Sequence, residues 1–152
     1  MTDDELQFVT FRVGSQEFAL NIFQVERILR YEKPASLPNA PEFLEGVMPY
    51  ATGVVPVVDL RKRLEVDAPQ REETRVMVLQ LEDQRVAVVV DQVLEVLRVD
   101  TRTISPPPAM VRGLAAAYIS GIITRPSRTI VVLNATKLLS TEERMALSEA
   151  VA

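Results

Sequence analysis

Histidine, cysteine and tryptophan are all missing from this chain of 152 residues, and glycine occurs only five times. Without histidine there is no imidazole base, no imidazole metal ligand and no phosphohistidine. Without cysteine, disulfides, thiolate metal sites and cysteine nucleophiles are excluded together. The few glycines form neither G-x-x-x-x-G-K-[ST] nor G-x-G-x-x-G, so no nucleotide cradle is present. Neither a metal nor a cofactor is expected.

Positive charge is also scarce. There are 17 Lys and Arg against 21 Asp and Glu, a net charge of −4, where a nucleic-acid binder carries a phosphate-neutralising surplus. No run reaches the roughly 18 uncharged apolar residues that cross a bilayer. The stretch Ala109 to Ile123 is interrupted by Arg112, and the acidic start Met1-Thr2-Asp3-Asp4-Glu5 lacks the positive charge of a secretory signal. The expectation is a soluble, cytoplasmic protein with no nucleic-acid partner and no direct membrane insertion. Carboxylates could still pair for acid–base work, with Asp59, Asp91 and Glu95 as the candidates. Asp59 reads more economically as a helix cap and the other two as exposed charges, so no catalytic residue is expected.

What the chain does have is a pattern written twice. Val54-Val55-Pro56-Val57-Val58 runs into Asp59 and Leu60-Arg61-Lys62-Arg63-Leu64. Its echo, Thr129-Ile130-Val131-Val132-Leu133, runs into Asn134 and Ala135-Thr136-Lys137-Leu138-Leu139. Each run is too apolar for a strand with one wet face, and each ends on a side chain that accepts hydrogen bonds from a helix start. A shift of 75 places also lays Phe43-Leu44-Glu45-Gly46-Val47 on Tyr118-Ile119-Ser120-Gly121-Ile122, glycine on glycine. A shift of 68 lays Phe8 to Tyr31 on Val76 to Val99, so a connecting loop is seven residues longer in the second half. Two similar β units in tandem follow. Units of ~70 residues are marginal alone, which predicts that they share an apolar seam.

In chain order, Leu6 to Val13 alternates as a strand, Gly14-Ser15-Gln16 turns, and Glu17 to Leu20 returns. Asn21 is placed to cap a turn near Phe23 and Gln24, followed by a strand from Arg27 to Tyr31. The proline-rich stretch Lys33 to Pro41 is a loop, Phe43 to Tyr50 a short strand, and Ala51-Thr52-Gly53 a reversal. Pro56 cannot donate to a ladder and predicts an edge or a bulge in a small, strongly bent barrel. Arg61-Lys62-Arg63 reads as the solvated side of a short helix rather than a phosphate site. Glu65 to Arg75 is a linker, after which strands recur at Arg75 to Leu81, Arg85 to Val90 and Leu94 to Val99. Pro106-Pro107-Pro108 is a stiff loop spacer, Ala109 to Ala117 a short helix, and Ser140 with Glu143 a capping box before a helix from Arg144 to Ala150. Val25, Ile28 and Leu29 stand at places matching Val93, Val96 and Leu97. These either fill the core or line the mouth of the seam, where an amphipathic partner helix could lie.

Phe8-Val9-Thr10-Phe11 through Tyr31, Phe43-Leu44-Glu45-Gly46-Val47, Val55-Pro56-Val57-Val58-Asp59-Leu60-Arg61 and Val88 through Leu97 together resemble the CheW-like domain family. The resemblance runs from about residue 6 to 140 and implies a mainly β fold: two SH3-like five-stranded barrels sharing a hydrophobic core, with short helices. As one domain over 6–140, the barrels fall at about 8–66 and 75–140, with strands exchanged between them an open option, and 141–152 forms a C-terminal helix or tail. It further implies a stand-alone, non-catalytic adaptor. Its partners would be the cytoplasmic tip of a methyl-accepting chemoreceptor and the regulatory domain of a CheA-type histidine kinase.

Carried over residue by residue, Val25, Arg27, Ile28, Gly46, Ala51 and Val93 become candidates for receptor binding, and Pro49, Tyr50, Val96 and Leu97 for kinase binding. Two positions depart from the family. Met48-Pro49-Tyr50-Ala51-Thr52-Gly53 replaces the usual Ile-Asn-Leu-Arg-Gly and one variable residue, so Ala51 stands where an arginine is usual. Arg27 stands where the family commonly has an acid. An adaptor for another chemosensory pathway, controlling motility or pili, therefore remains an alternative, as does a small β-barrel ligand-binding protein or enzyme.

Overall fold

The first strand, β1 (Glu5–Val13), buries both of its faces, with Phe8 and Thr10 on one side and Val9, Phe11 and Val13 on the other. It turns through Gly14, whose φ of 64° suits glycine, and pairs with β2 (Gln16–Asn21) from Val13 opposite Gln16 to Phe8 opposite Asn21. The structure is a computed structural model that describes residues 4–64, 72–82, 84–107, 118–140, 142–143 and 145–146. At the end of β2 the Asn21 side chain accepts a hydrogen bond from the Phe23 N–H at 3.0 Å and caps a 3-10 turn over Ile22–Gln24. The next strand, β3 (Val25–Arg30), starts two residues earlier than the pattern predicts.

The remaining strands are β4 (Leu44–Tyr50), β5 (Gly53–Asp59), β6 (Arg75–Gln80), β7 (Arg85–Val90), β8 (Gln92–Asp100), β9 (Ile119–Arg125) and β10 (Arg128–Leu133). A four-residue helix, α1 (Leu60–Arg63), follows β5, and a 3-10 turn over Ala135–Lys137 follows β10. The repeat is visible in the bounds, since Leu44–Tyr50 displaced by 75 places is Ile119–Arg125. The paired glycines have one task. Gly46 has φ 149°, and a Cβ there would run into the backbone of Ala35, which bridges to Val47. A Cβ on Gly121 would come within 2.6 Å of the Ile104 side chain and 3.2 Å of the Ser105 carbonyl, and Ser105 bridges to Ile122. In both halves the missing side chain lets an incoming loop lie against the strand.

The fold is mainly β, with two five-stranded sheets ordered β8-β1-β2-β10-β9 and β3-β6-β7-β5-β4. Neither sheet is confined to residues 8–66 or to 75–140. The β1–β2 hairpin joins β8, β9 and β10, while β6–β7 joins β3, β4 and β5, through parallel contacts of β2 with β10 and of β5 with β7. Pro56 is not on an edge strand, because β5 lies between β7 and β4. It sits opposite Val47, one residue before the pairing with β7 begins at Val57 and close to a register shift in β4, so the missing N–H falls where only one neighbour is paired.

Alternation along each strand sorts the apolar residues into three clusters. Phe8, Ala19, Ile130 and Val132 fill the interior of the first sheet's barrel, and Val55, Val57, Val76, Val78, Ala87 and Val89 that of the second. The largest cluster lies between them, with Val9, Phe11, Phe18 and Leu20 from one sheet against Met77, Leu79, Val86 and Val88 from the other. This is the shared seam. The Ser140–Glu143 capping box forms, with Glu143 N–H donating to Ser140 Oγ at 3.1 Å and Ser140 N–H to the Glu143 carboxylate at 2.9 Å. The helix expected over Ala109 to Ala117, residues 65–71 of the linker and most of the helix expected over Arg144 to Ala150 lie outside the described residues.

Candidate functional site

β3 is an edge strand, and its first residues form one corner with the ends of β4 and β7. The Tyr50 hydroxyl donates to Glu26 at 2.6 Å, Arg85 pairs with Glu26 at 2.9 Å, and the Arg85 guanidinium lies 5.7 Å from the centre of the Tyr50 ring. The bond from Tyr50, reinforced by Arg85 against the cost of desolvation, holds the Glu26 carboxyl below the usual carboxylate range. The same bond raises the Tyr50 hydroxyl, because ionisation would set two negative oxygens side by side. Beyond Tyr50, Ala51 and Thr52 make the tight turn into Gly53, with Ala51 exposed at φ 53°.

The structure puts equivalent candidates in equivalent surroundings. Val25 and Val93 are half-buried against the seam, Leu29 and Leu97 pack on the two barrel interiors, and Ile28 and Val96 face solvent with 41% and 52% of their surface exposed. The exposed pair stands on the two edge strands β3 and β8. Of the remaining candidates, Arg27 and Pro49 are exposed, Tyr50 is half-buried, and Gly46 is buried with its open side taken by Ala35. Val25, Arg27, Ile28, Gly46, Pro49, Tyr50 and Ala51 all belong to the second sheet and its turns. Val93, Val96 and Leu97 belong to the first, so each proposed partner set is divided between the sheets.

Two readings of charge need correction. Arg61 is not on a solvated helix face: it is 5% exposed and pairs bidentately with Asp59, at 3.0 Å through Nε and 2.9 Å through Nη2. Asp59 also caps α1 by accepting the Arg61 N–H at 2.9 Å. Nor is Asp91 an exposed charge. With 19% of its side chain exposed, it lies 3.4 Å from Arg61 Nη1 and accepts the Gly14 N–H at 2.6 Å. Asp91 stands where the chain crosses from β7 in one sheet to β8 in the other, so the Arg61 network ties both sheets across the seam. The bond to Asp59, with Asp91 adding its charge, raises the pKa of Arg61 further. Glu95 is exposed, as expected, and pairs with Arg128 at 3.0 Å, which in turn holds Glu17 at 2.7 Å.

All three candidate carboxylates are thus occupied by cations or backbone amides, and none is paired with another acid. Among the described residues no three metal-ligating side chains gather, and no helix is long and apolar enough to cross a membrane. Sequence reasoning overlooked an open groove of about 520 Å³ lined by Leu6, Phe8, Phe23, Ile104, Val132 and Leu133, with Phe23 87% exposed. A large aromatic beside the capping residue Asn21 was the available signal.

The family model described as the CheW-like domain matches residues 7–143. The chain is 34% identical to the chemotaxis protein CheW of Klebsiella aerogenes over 147 residues, covering 96% of this chain and 88% of that protein. It is 31% identical to the protein FrzA of Myxococcus xanthus, covering 95% of this chain and 91% of the relative. Among solved structures, the scaffolding protein TtCheW from Thermoanaerobacter tengcongensis is similar with a TM-score of 0.78 and 27% identity, covering 85% of this chain and 88% of that one. The match runs through both sheets and all ten strands described above, in a family of scaffolds rather than enzymes, and the chain belongs to the CheW-like domain family.

Proposed function

We propose that this chain is an adaptor that couples the cytoplasmic tips of chemoreceptors to a CheA-type histidine kinase, working in the cytoplasm and recruited to membrane-associated receptor arrays. The observation that carries the reading is the duplication of surface on two sheets that share one core. Ile28 and Val96 offer equivalent exposed apolar contacts on two edge strands, and a shared core joins the sheets that bear them. A coupler needs two faces held in fixed relation, and the shared core is the feature that supports this reading. Val25, Arg27, Ile28, Ala51 and Val93 are proposed to meet the receptor, with Gly46 shaping that face from beneath. Pro49, Tyr50, Val96 and Leu97 are proposed to meet the kinase.

A second reading, an adaptor for another chemosensory pathway controlling motility or pili, draws on Arg27 and Ala51, the two positions that depart from the family pattern. Reconstitution separates the two. Receptor-bearing membranes, the kinase and the purified chain are combined, and phosphate transfer from ATP to the kinase is followed. The first reading expects the chain to raise kinase phosphorylation only when receptor is present. Kinase binding without receptor dependence supports the second, and no binding to either removes both.

A further inference from the structure

The chain passes between the sheets at the Ile22–Gln24 turn, from β2 to β3, and again at Asp91, from β7 to β8. A shift of 68 places lays Asp91 on Phe23, yet the two crossings are built differently. Phe23 is 87% exposed. Asp91 is held from both sides. Its N–H donates to the Arg12 carbonyl at 3.0 Å and its carboxylate accepts the Gly14 N–H at 2.6 Å, both at the β1–β2 turn, while Nη1 of Arg61 in α1 reaches it at 3.4 Å from the other sheet. Of the ion pairs between described residues, the others each lie within one sheet and its turns. Capping alone does not need this charge. In the second half of the repeat Asn134 stands for Asp59 and Thr136 for Arg61, and this neutral pair makes the same cap, with the Thr136 N–H donating to the Asn134 side chain at 3.1 Å. What Arg61 adds is the reach to Asp91.

From this difference we infer that Arg61 and Asp91 are positioning residues, which fix the angle between the two barrels and so the spacing of the β3 and β8 edges. The seam around them is apolar: Leu60, Val90 and Val13, the chain neighbours of Arg61, Asp91 and Gly14, all belong to it. Apolar burial is non-directional and lets one layer slide over another, whereas a guanidinium held between two carboxylates has one geometry. A buried ion pair stabilises little beyond what apolar side chains of similar volume would, so orientation is its distinguishing contribution here. β3 and β8 are the strands that leave the two crossings, and they carry Ile28 and Val96. On the adaptor reading above, on which this consequence rests, a change of angle leaves each face able to bind its own partner and spoils their joint action.

The test uses the full chain with Asp59→Asn, Arg61→Met and Asp91→Asn combined, so that no buried charge is left unpaired. Asp91→Asn alone, which keeps an acceptor for the Gly14 N–H, is the second variant. Because the chain has no cysteine, spin labels can be placed on Val54→Cys in β5 and Thr124→Cys in β9, exposed positions in different sheets. Electron–electron distance measurement should give one narrow distribution in the labelled parent and one at least twice as wide in the triple variant, with Asp91→Asn between them and thermal melts within a few degrees. Titrated separately, the receptor tip and the kinase regulatory domain encoded in the same genome should bind the unlabelled variants within twofold of the parent, while receptor-dependent kinase phosphorylation falls at least fivefold. An unchanged distribution overturns the inference, as does a parent distribution as wide as the variant's. Melts far below the parent in both variants overturn it in favour of a purely stabilising network, and weakened binding of either partner alone overturns it in favour of a local contact. A wider distribution with phosphorylation at the parent level overturns the link to coupling. Failure of the parent to raise kinase phosphorylation removes the adaptor reading, and the distance distributions still decide whether the network sets the angle.

Discussion

Gly46 and Gly121 align in the sequence, but substitution should separate them. At Gly46 both the backbone, at φ 149°, and the space, closed by the main chain of Ala35, oppose a side chain. At Gly121 the backbone is not left-handed, and the nearest obstacle is a side-chain atom, the γ2 methyl of Ile104, rather than main chain. Strained backbone costs about 1–3 kcal/mol and overpacking a similar amount, so Gly46→Ala should lose about 2–4 kcal/mol in urea unfolding and Gly121→Ala clearly less. Equal losses would mean that the two loops do not bear on their strands in different ways. Arg61 is the other decisive residue. Arg61→Leu leaves Asp59 and Asp91 without their cation, and breaking a buried pair from one side costs about 3–5 kcal/mol. Arg61→Lys should recover only part of that loss, because an ammonium cannot bond Asp59 through two parallel N–H groups and reach Asp91 as well. Ala51→Arg tests a departure from the family. Ala51 already holds φ 53° without being glycine, so the larger side chain adds little backbone strain, and titration with a standard receptor tip should show tighter binding. Unchanged affinity would mean that the missing arginine is not the limiting contact.

At the scale of elements, one device recurs where strands end. Asn21, Asp59, Asp100 and Asn134 follow or close β2, β5, β8 and β10, and each accepts the N–H of the residue two places on: Phe23, Arg61, Arg102 and Thr136. A short polar side chain there satisfies an orphan donor of the coming turn and stops the strand. Asp100 adds a bidentate bond to the Arg102 side chain, and that bond, with the Arg102 N–H, lowers its pKa to about 2. A carboxylate whose folded pKa lies below its unfolded value stabilises the fold above the unfolded value of about 4 and loses that contribution as pH falls through about 2. Asp100→Asn should therefore lower stability at neutral pH and flatten the acid limb between about pH 4 and pH 2, as followed by circular dichroism. An unaltered acid limb would show that this turn opens before the molecule unfolds. These caps were legible because they are local: Asp59 and Asn134 stood out at the ends of apolar runs, and Asn21 at the end of a hairpin. Asp100 has the same form, but the stretch from Asp100 to Pro108 reads as a loop from its prolines, which hides the cap. The burial of Arg61 was not legible, because its second partner, Asp91, lies far along the chain and only the crossing between sheets brings them together.

For the whole molecule, the runs Val54 to Val58 and Thr129 to Leu133 are too apolar for strands with one wet face, which predicts burial on both sides, but the pattern does not say which strands share a sheet. The pairing of β1 with β8, and of β3 with β6, depends on where the chain can cross, and strands of alternating valines specify that weakly. The outcome is a seam that neither sheet completes alone. Phe11, fully buried and 6.0 Å from the Phe18 ring, lies in that seam together with Met77 and Leu79 of the other sheet. Truncating a buried phenylalanine costs about 3–5 kcal/mol. If the seam is the common core, Phe11→Ala should weaken amide hydrogen-exchange protection by a similar factor in β2 and in β7, which belong to different sheets, and unfolding should remain a single transition. Protection lost in β2 while β7 keeps its parent value would show two sheets that unfold independently. A body of that kind could not hold a receptor face and a kinase face in the fixed relation that coupling requires, so the same measurement bears on the fold and on its proposed use.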